Sequence, residues 1–85
     1  MKLIQFSTHA QFEMLRRGIT DADVEAVVRK PGQVLPAKKG RQVYQSKIGP
    51  AGHLLLRVVV KDEPAAYAII TVYLTNKVAK YWRQT

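Results

Sequence analysis

The sequence predicts an α+β domain in which two N-terminal helices pack on one antiparallel sheet of about four strands. Two helical patterns with capping residues lie before Gly32, and apolar, β-branched runs separated by turn residues lie after it. Helices followed by a meander of strands favour a packing of the helices on one face of the sheet. The 85 residues suffice for a single domain, residues 1–85, with one modest core.

The stretch Leu54–Thr75 contains two apolar runs around a polar turn at Asp62–Pro64, which predicts a β-hairpin. Because side chains alternate along a strand, each run divides into an apolar face, expected to be buried, and a mixed face. The predicted apolar face contains Leu54, Leu56, Val58, Val60, Ala66, Ala68, Ile70, Val72 and Leu74. The predicted mixed face contains His53, Leu55, Arg57, Val59, Lys61, Tyr67, Ile69, Thr71, Tyr73 and Thr75.

Matching the two apolar faces constrains the register of this hairpin. Directly opposed residues of an antiparallel pair point to the same side, so their numbers must sum to an even number. We therefore expect a five-residue loop with Lys61 opposite Tyr67 and Arg57 opposite Thr71, or a β-bulge that restores the parity.

The first helix is expected to follow a short strand at Lys2–Phe6. Ser7 or Thr8 is the expected N-cap, Thr8 and Gln11 have the spacing of a capping box, and Gly18 is the expected left-handed C-terminal cap. The side predicted to face the core consists of Phe12, Leu15 and Ile19, flanked by Met14. Another side carries His9, Glu13, Arg16 and Arg17.

A second helix is predicted from Thr20, its expected N-cap, to the stop at Pro31 and Gly32. Asp21 and Asp23 lie at the positive end of its dipole, which acidic side chains stabilise. The side predicted to be buried consists of Val24, Val27 and Val28.

Two further strands are predicted at Gln33–Pro36 and Arg41–Ile48, although their alternation is weak. The GPAG turn at Gly49–Gly52 precedes the central hairpin. For the basic and aromatic segment Lys77–Thr85 three conformations remain open: a continuation of the last strand, a helical turn, or a mobile tail.

The charge of the chain is strongly positive and segregated. The net charge is +8, from 14 basic and 6 acidic residues. Residues 26–61 include eight basic residues and no acid, and residues 64–85 add three basic residues, again without an acid. This distribution favours a polyanionic partner, nucleic acid first and an acidic protein second. The alternative is a basic surface that only confers solubility.

Several classes of protein are disfavoured by the composition. The absence of cysteine removes disulfides and thiolate metal sites and fits a cytoplasmic location. The N-terminal apolar run is too short for a signal peptide, and no stretch approaches a membrane span. We find no phosphate-binding glycine loop, nucleophile elbow or cluster with metal-ligand spacing, and expect no metal and no cofactor.

A metal-free reaction that these residues allow is RNA cleavage through the 2'-hydroxyl, which needs an acid, a base and fixed positive charge. His9, in the first helical turn, can titrate near neutral pH, or else it simply packs near the helix cap. Arg57 lies mid-strand among aliphatic residues and must find a carboxylate such as Glu13, an aromatic face or a ligand anion. Tyr73 and Thr71 can donate hydrogen bonds to phosphate, but both are also ordinary strand residues.

Short motifs along the chain resemble a small bacterial family of uncharacterised domains. The matching segments are STHA at Ser7–Ala10, RGIT at Arg17–Thr20 and ITVY at Ile70–Tyr73, and the likeness spans about residues 5 to 75. That family is similar to the ribonuclease toxin fold of barnase, EndoU, colicin and RelE-type proteins. The resemblance implies a helix pair, a curved antiparallel sheet and metal-independent ribonuclease activity in a toxin-like setting.

Carried over by position, the recurring pattern of that family is matched by His9, Arg17, Thr71 and Tyr73. Glu13 departs from it, because the family often has a basic residue there and a carboxylate repels phosphate. The departure leaves open a binder without activity, or Glu13 as a partner that orients His9 or Arg17.

The leading expectation is a RelE-like endoribonuclease that acts on RNA. Its candidate catalytic residues are His9, Arg57 and Tyr73, and its candidate nucleic-acid ligands are Arg16, Arg17, Lys61 and Thr71. The alternatives are a non-catalytic module that binds RNA or an acidic antitoxin or immunity protein, and a toxin-like protein that only occupies a partner such as the ribosome. The catalytic hypothesis requires His9 and Arg57 to approach the same cleft.

Overall fold

The computed structural model describes residues 2–84 and shows helices packed on a five-stranded mixed sheet, which confirms the α+β class. Met1 and Thr85, the ends of the predicted domain and of the predicted tail, lie outside the described residues. The strands are β1 (Leu3–Phe6), β2 (Gln33–Pro36), β3 (Gln42–Ile48), β4 (Leu54–Asp62) and β5 (Ala66–Thr75). The helices are α1 (Thr8–Arg17), α2 (Asp21–Arg29) and the short α3 (Val78–Tyr81).

The strand order is β1-β5-β4-β3-β2, and every neighbouring pair is antiparallel except β1 and β5. The sheet therefore has one strand more than the four expected and is not antiparallel throughout. Alternation places Leu56 and Val58 of β4 in the core under the helices, and we call this face the helix side. The opposite face, which carries Arg57, is called the tail side because α3 lies against it.

Helix α1 begins and ends at the predicted caps but is rotated relative to the prediction. Ser7 is the N-cap and accepts a hydrogen bond from the Ala10 amide at 3.0 Å, while Gly18 ends the helix at φ +68°. The proposed capping box of Thr8 and Gln11 does not form, because Thr8 is already helical and the Gln11 side chain donates to the Phe6 carbonyl.

The side of α1 that faces the core is formed by Ala10 and Met14, which are 0% and 4% exposed. Phe12 and Leu15, predicted to be in the core, are 58% and 84% exposed, so this prediction was wrong. The reason is tertiary, since the Ser7 hydroxyl also donates to the Ile70 carbonyl at 2.9 Å, which anchors the start of α1 on β5. This anchor sets the rotation of the helix, and the small Ala10 side chain permits a close approach to the sheet.

Helix α2 agrees with its prediction. Thr20 and Asp23 form a reciprocal capping box, in which each side chain accepts from the backbone amide of the other. The buried residues of the helix are Val24, Val27 and Val28. Apolar periodicity and capping chemistry agree here, which is why the sequence was sufficient.

The central hairpin contains a bulge, the second of the two predicted solutions. Arg57 pairs with Tyr73 rather than with Thr71, and Lys61 pairs with Ala68 rather than with Tyr67. The pairing is irregular between Val59 and Val60, where β5 carries one extra residue.

The bulge moves part of β5 to the other face. Before the bulge, Tyr67 and Ile69 lie on the helix side, although both were predicted to be on the mixed face. After the bulge, Val72 and Leu74 lie on the helix side, as predicted. The core under the helices consists of Ala10, Met14, Ile19, Val24, Val27, Val28, Tyr44, Leu56, Val58, Val60, Ile69 and Val72.

Replacing Ile69 by alanine is expected to lower the free energy of unfolding by about 2–5 kcal/mol, because Ile69 is fully buried and alanine would leave a cavity. Leu15→Ala removes a similar volume from an exposed position and is expected to change it by less than about 0.5 kcal/mol. Urea unfolding of both variants checks this. Equal losses of stability in the two variants would contradict the burial of Ile69 and favour the helix rotation and strand faces that simple periodicity predicts.

Candidate nucleic-acid interface

A row of four polar side chains crosses the tail side of the sheet. Gln33, Gln45, Arg57 and Tyr73 occupy directly paired positions on β2, β3, β4 and β5. Directly paired residues share a face, so the register brings all four together although they are spread over 41 positions of the chain. We call this set the polar row.

Hydrogen bonds connect the polar row from end to end. The Arg57 Nε donates to Gln45 Oε1 at 2.8 Å, and Arg57 Nη1 donates to the Tyr73 hydroxyl. The Gln45 Nε2 donates to Gln33 Oε1 at 2.7 Å. Gln45 is 0% exposed and Arg57 is 9% exposed, so these bonds replace water that both side chains have lost.

The C-terminal segment from Lys77 to Gln84, called the tail, covers the polar row. The Tyr81 carbonyl accepts from Gln45 Nε2 at 3.2 Å. The Gln33 side chain donates to the Arg83 carbonyl at 2.6 Å and accepts from the Arg83 amide at 3.0 Å. Of the three conformations left open for this segment, the structure shows a helical turn that packs on the sheet.

Aromatic rings complete the contact between tail and sheet. The Tyr81 ring lies 4.3 Å from the Arg57 guanidinium carbon, and the Trp82 ring lies 4.4 Å from Lys47 Nζ. Gly32 leaves room for the Trp82 ring, since a β-carbon there would lie 2.9 Å from a ring carbon. Tyr81 and Trp82 therefore contact the domain itself rather than project into solvent.

The charge of Arg57 has no acidic partner among residues 2–84. The ion pairs in this part of the chain join Glu13 to Arg16 and Arg17, and Asp62 to Lys2. The predicted alternative of a structural ion pair for Arg57 is therefore wrong. The aromatic face that the sequence also allowed is present as the Tyr81 ring. The guanidinium is desolvated, and among residues 2–84 its charge is stabilised by the dipoles of Gln45 and Tyr73 and by the aromatic rings.

The exposed surface around the polar row is basic. Alternation places Lys47 of β3 and Lys61 of β4 on the tail side, and Lys80 and Arg83 of the tail add exposed cations. No strand position on this side carries an acid; the acids lie on α1, on α2 and at the β4–β5 turn. The sequence segregation of charge thus becomes a spatial one.

The candidate site residues of the sequence do not form one site. Arg57, Tyr73, Thr71 and Lys61 share the tail side, where Thr71 pairs with Val59. His9, Arg16 and Arg17 are exposed on α1, on the helix side. The expectation that His9 and Arg57 approach the same cleft is wrong, because the Ser7 anchor holds α1 on the face opposite Arg57.

Glu13 pairs with two arginines of its own helix. Its carboxylate lies 3.3 Å from Arg16 Nη1 and 3.6 Å from Arg17 Nε. The sequence left open His9 or Arg17 as the partner of Glu13. The structure shows Arg17, and Arg16 in addition. The cations of α1 are therefore partly neutralised locally.

Gln33 and Gln45 are the site residues that sequence reasoning missed. Gln45 follows Tyr44 near the centre of β3, so its side chain lies on the other face of the sheet from Tyr44. A polar residue at this central position was the available signal. The apolar and polar residues of β2 and β3 alternate only weakly, so the sequence did not indicate which face Gln45 occupies. Its role becomes visible only when the register pairs it with Gln33 and Arg57.

On the helix side, burial raises the pKa of Tyr44, and the nearby Asp62 charge raises it further. Tyr44 also packs edge-on against Tyr67 at 6.0 Å, beneath α2 and the β4–β5 turn. Tyr44 therefore remains a neutral phenol at physiological pH, and this cluster serves packing.

No group of three or more His, Cys, Asp or Glu residues able to hold a metal ion occurs within residues 2–84. In the same range no helix has the length and apolar character needed to cross a membrane.

A surface recess on the outer face of α2 is lined by side chains of both signs, including Asp21, Glu25 and Arg29, and lies away from the polar row.

Fold and site together define a small basic α+β domain with one buried arginine, which has no acidic partner among residues 2–84, on one face of its sheet. The chain belongs to the family described as a domain of unknown function, DUF4258, whose model matches residues 6–74. These residues include the whole polar row, while α3 follows them. No curated protein matches the chain. No solved structure matches it either.

Replacing Arg57 by methionine is expected to lower the free energy of unfolding by about 1–3 kcal/mol, because the fully buried Gln45 Oε1 loses its donor. Lys61→Met is the matched control, since it removes an exposed cation from the same strand and face and is expected to cost less than about 0.5 kcal/mol. Chemical denaturation measures both values. An Arg57 variant as stable as the control would show that the polar row does not stabilise the fold.

Proposed function

We propose that this domain binds RNA through the tail side of its sheet. The observation that carries the proposal is a buried arginine without a carboxylate partner, at the centre of a face whose strand positions carry no acid. A desolvated guanidinium surrounded by exposed lysines and arginines creates a positive potential that an anionic ligand would compensate.

The donor inventory of Arg57 supports a phosphate ligand. Of the five N–H donors of a guanidinium, Nε is bonded to Gln45 and one donor on Nη1 is bonded to Tyr73. The remaining donors have the fork geometry that binds phosphate oxygens. Lys47 and Lys61 would contact neighbouring phosphates and position the strand.

Two arguments favour RNA over other polyanions. A sheet face that combines aromatic, amide and basic side chains is suited to unpaired bases, which stack and present their edges. The STHA and ITVY segments resemble a family of uncharacterised domains that is itself similar to the ribonuclease toxin fold, and this favours RNA as the nucleic acid. An acidic antitoxin or immunity protein would use the same face.

Binding of a labelled single-stranded RNA is expected to weaken steeply with salt, because bound cations release counterions. Lys47→Ala and Lys61→Ala should each weaken binding and lower the salt slope by about 0.7, the value for one phosphate contact on a single strand. Fluorescence anisotropy over a salt series measures both quantities.

Arg16→Ala is the matched control, since it removes the same charge from the helix side. Equal loss in this variant would indicate diffuse attraction rather than a tail-side interface. Absence of RNA binding at low salt would make an acidic protein the better candidate, to be tested by the same variants.

The second candidate function is metal-independent RNA cleavage on the tail side. It is favoured by the hydrogen bond that Arg57 donates to the Tyr73 hydroxyl. This bond holds the phenol, which can transfer a proton, beside the guanidinium that would bind the phosphate. In 2'-hydroxyl cleavage the 2'-oxygen would attack phosphorus and give its proton to solvent water. The P–O5' bond would break as the Tyr73 phenol protonates the leaving 5'-oxygen, and the Arg57 guanidinium would stabilise the phosphorane charge. His9 has no part in this arrangement.

If the second candidate is correct, RNA will be cleaved in the presence of EDTA, and Tyr73→Phe will lower the rate by about 10²-fold or more. His9→Ala should leave the rate unchanged because α1 lies on the opposite face. Gel analysis of RNA across a pH series measures this. Intact RNA beside an active control nuclease would refute cleavage and leave the binding proposal standing.

A further inference from the structure

We propose that the tail occupies the RNA site, with the Tyr81 ring in the place of an unpaired base over Arg57, so that the tail and single-stranded RNA compete. This inference rests on the proposed function and adds to it a ligand class and a form of regulation. The ligand is an RNA segment with at least one unstacked base.

The first argument is the position of the Tyr81 ring. It lies 4.3 Å from the Arg57 guanidinium carbon, the distance of a cation–π stack. A guanidinium plane stacks on aromatic rings and on nucleobases in the same way. Tyr73 meets the Tyr81 ring edge-on at 6.3 Å, so a base that took the place of this ring would have both a guanidinium and an aromatic neighbour.

The second argument is the type of hydrogen bond that holds the tail. Gln45 and Gln33 bind the tail through its backbone, at the Tyr81 carbonyl and at the Arg83 amide and carbonyl. The Gln33 amide thus presents one donor and one acceptor side by side. Paired donors and acceptors of this kind also match the edge of a base, so the same side chains could serve a nucleotide.

The third argument is that the tail adds positive charge to a basic side. The tail carries Lys77, Lys80 and Arg83, so its closed position gathers like charges on one side of the domain. Its helix has four residues and no side-chain cap. Short uncapped helices gain little free energy by themselves, and an approaching polyanion would relieve the repulsion. RNA therefore has a physical means of displacing the tail.

The test uses the full chain with Tyr81→Ala, which removes the ring and keeps the backbone contacts. If the ring occupies the base site, this variant should bind single-stranded RNA about 5-fold or more tightly than the unmodified chain, the usual range of a coupling between competing contacts. Lys77→Ala, at the start of the tail, removes a cation but no ring and should not bind more tightly. Circular dichroism confirms that each variant is folded.

A second measurement needs no substitution, because Trp82 is the single tryptophan of the chain. RNA that displaces the tail should increase the quenching of Trp82 fluorescence by acrylamide. Reduced quenching, or weaker RNA binding by Tyr81→Ala, would show that the rings belong to the binding surface. Either result would refute competition between the tail and RNA and leave the proposed function intact. If neither chain binds RNA, the proposed function fails and the inference with it.

Discussion

The burial of the Arg57 charge without a carboxylate is the constraint on which the tail side of this domain depends. A guanidinium in the middle of a sheet requires partners for its donors and its plane, and it obtains them from Gln45, Tyr73 and the Tyr81 ring. Because Gln45 is itself buried, it requires Gln33 and the tail backbone in turn. One charged residue thus accounts for the polar row and for the segment that covers it.

The sheet consequently separates two kinds of interior. On the helix side, valine, leucine and isoleucine pack under α1 and α2 and provide the hydrophobic stabilisation. On the tail side Leu55 and Val43 are also buried, but around Arg57 burial is maintained by hydrogen bonds and cation–π contacts. These contacts lose less when they are exchanged for contacts with a polar ligand. This difference is the physical reason for proposing that RNA binds on the tail side, whereas the helix side provides most of the apolar core. The placement of every acid away from the tail-side strands is consistent with it.

Much of the fold could be predicted because local chemistry and tertiary packing agree. The Thr20 capping box, the valines of α2 and the Gly18 cap are encoded within a few residues of one another. The rotation of α1 could not be predicted, because it depends on a bond from Ser7 to Ile70, 63 positions away. Parity arguments allowed a bulge in the hairpin but not its position, which decided the side to which Ile69 turns.

For the candidate site, the sequence by itself determined the excess of positive charge, its segregation, and the presence of Arg57, Lys61, Thr71 and Tyr73 on one face of a hairpin. These follow from composition and from alternation along two adjacent strands. The tertiary structure alone decided that His9 lies on the opposite side and that the two glutamines and the tail complete the site. The physical reason is that strand order and register bring together residues whose separation in the chain carries no information about contact.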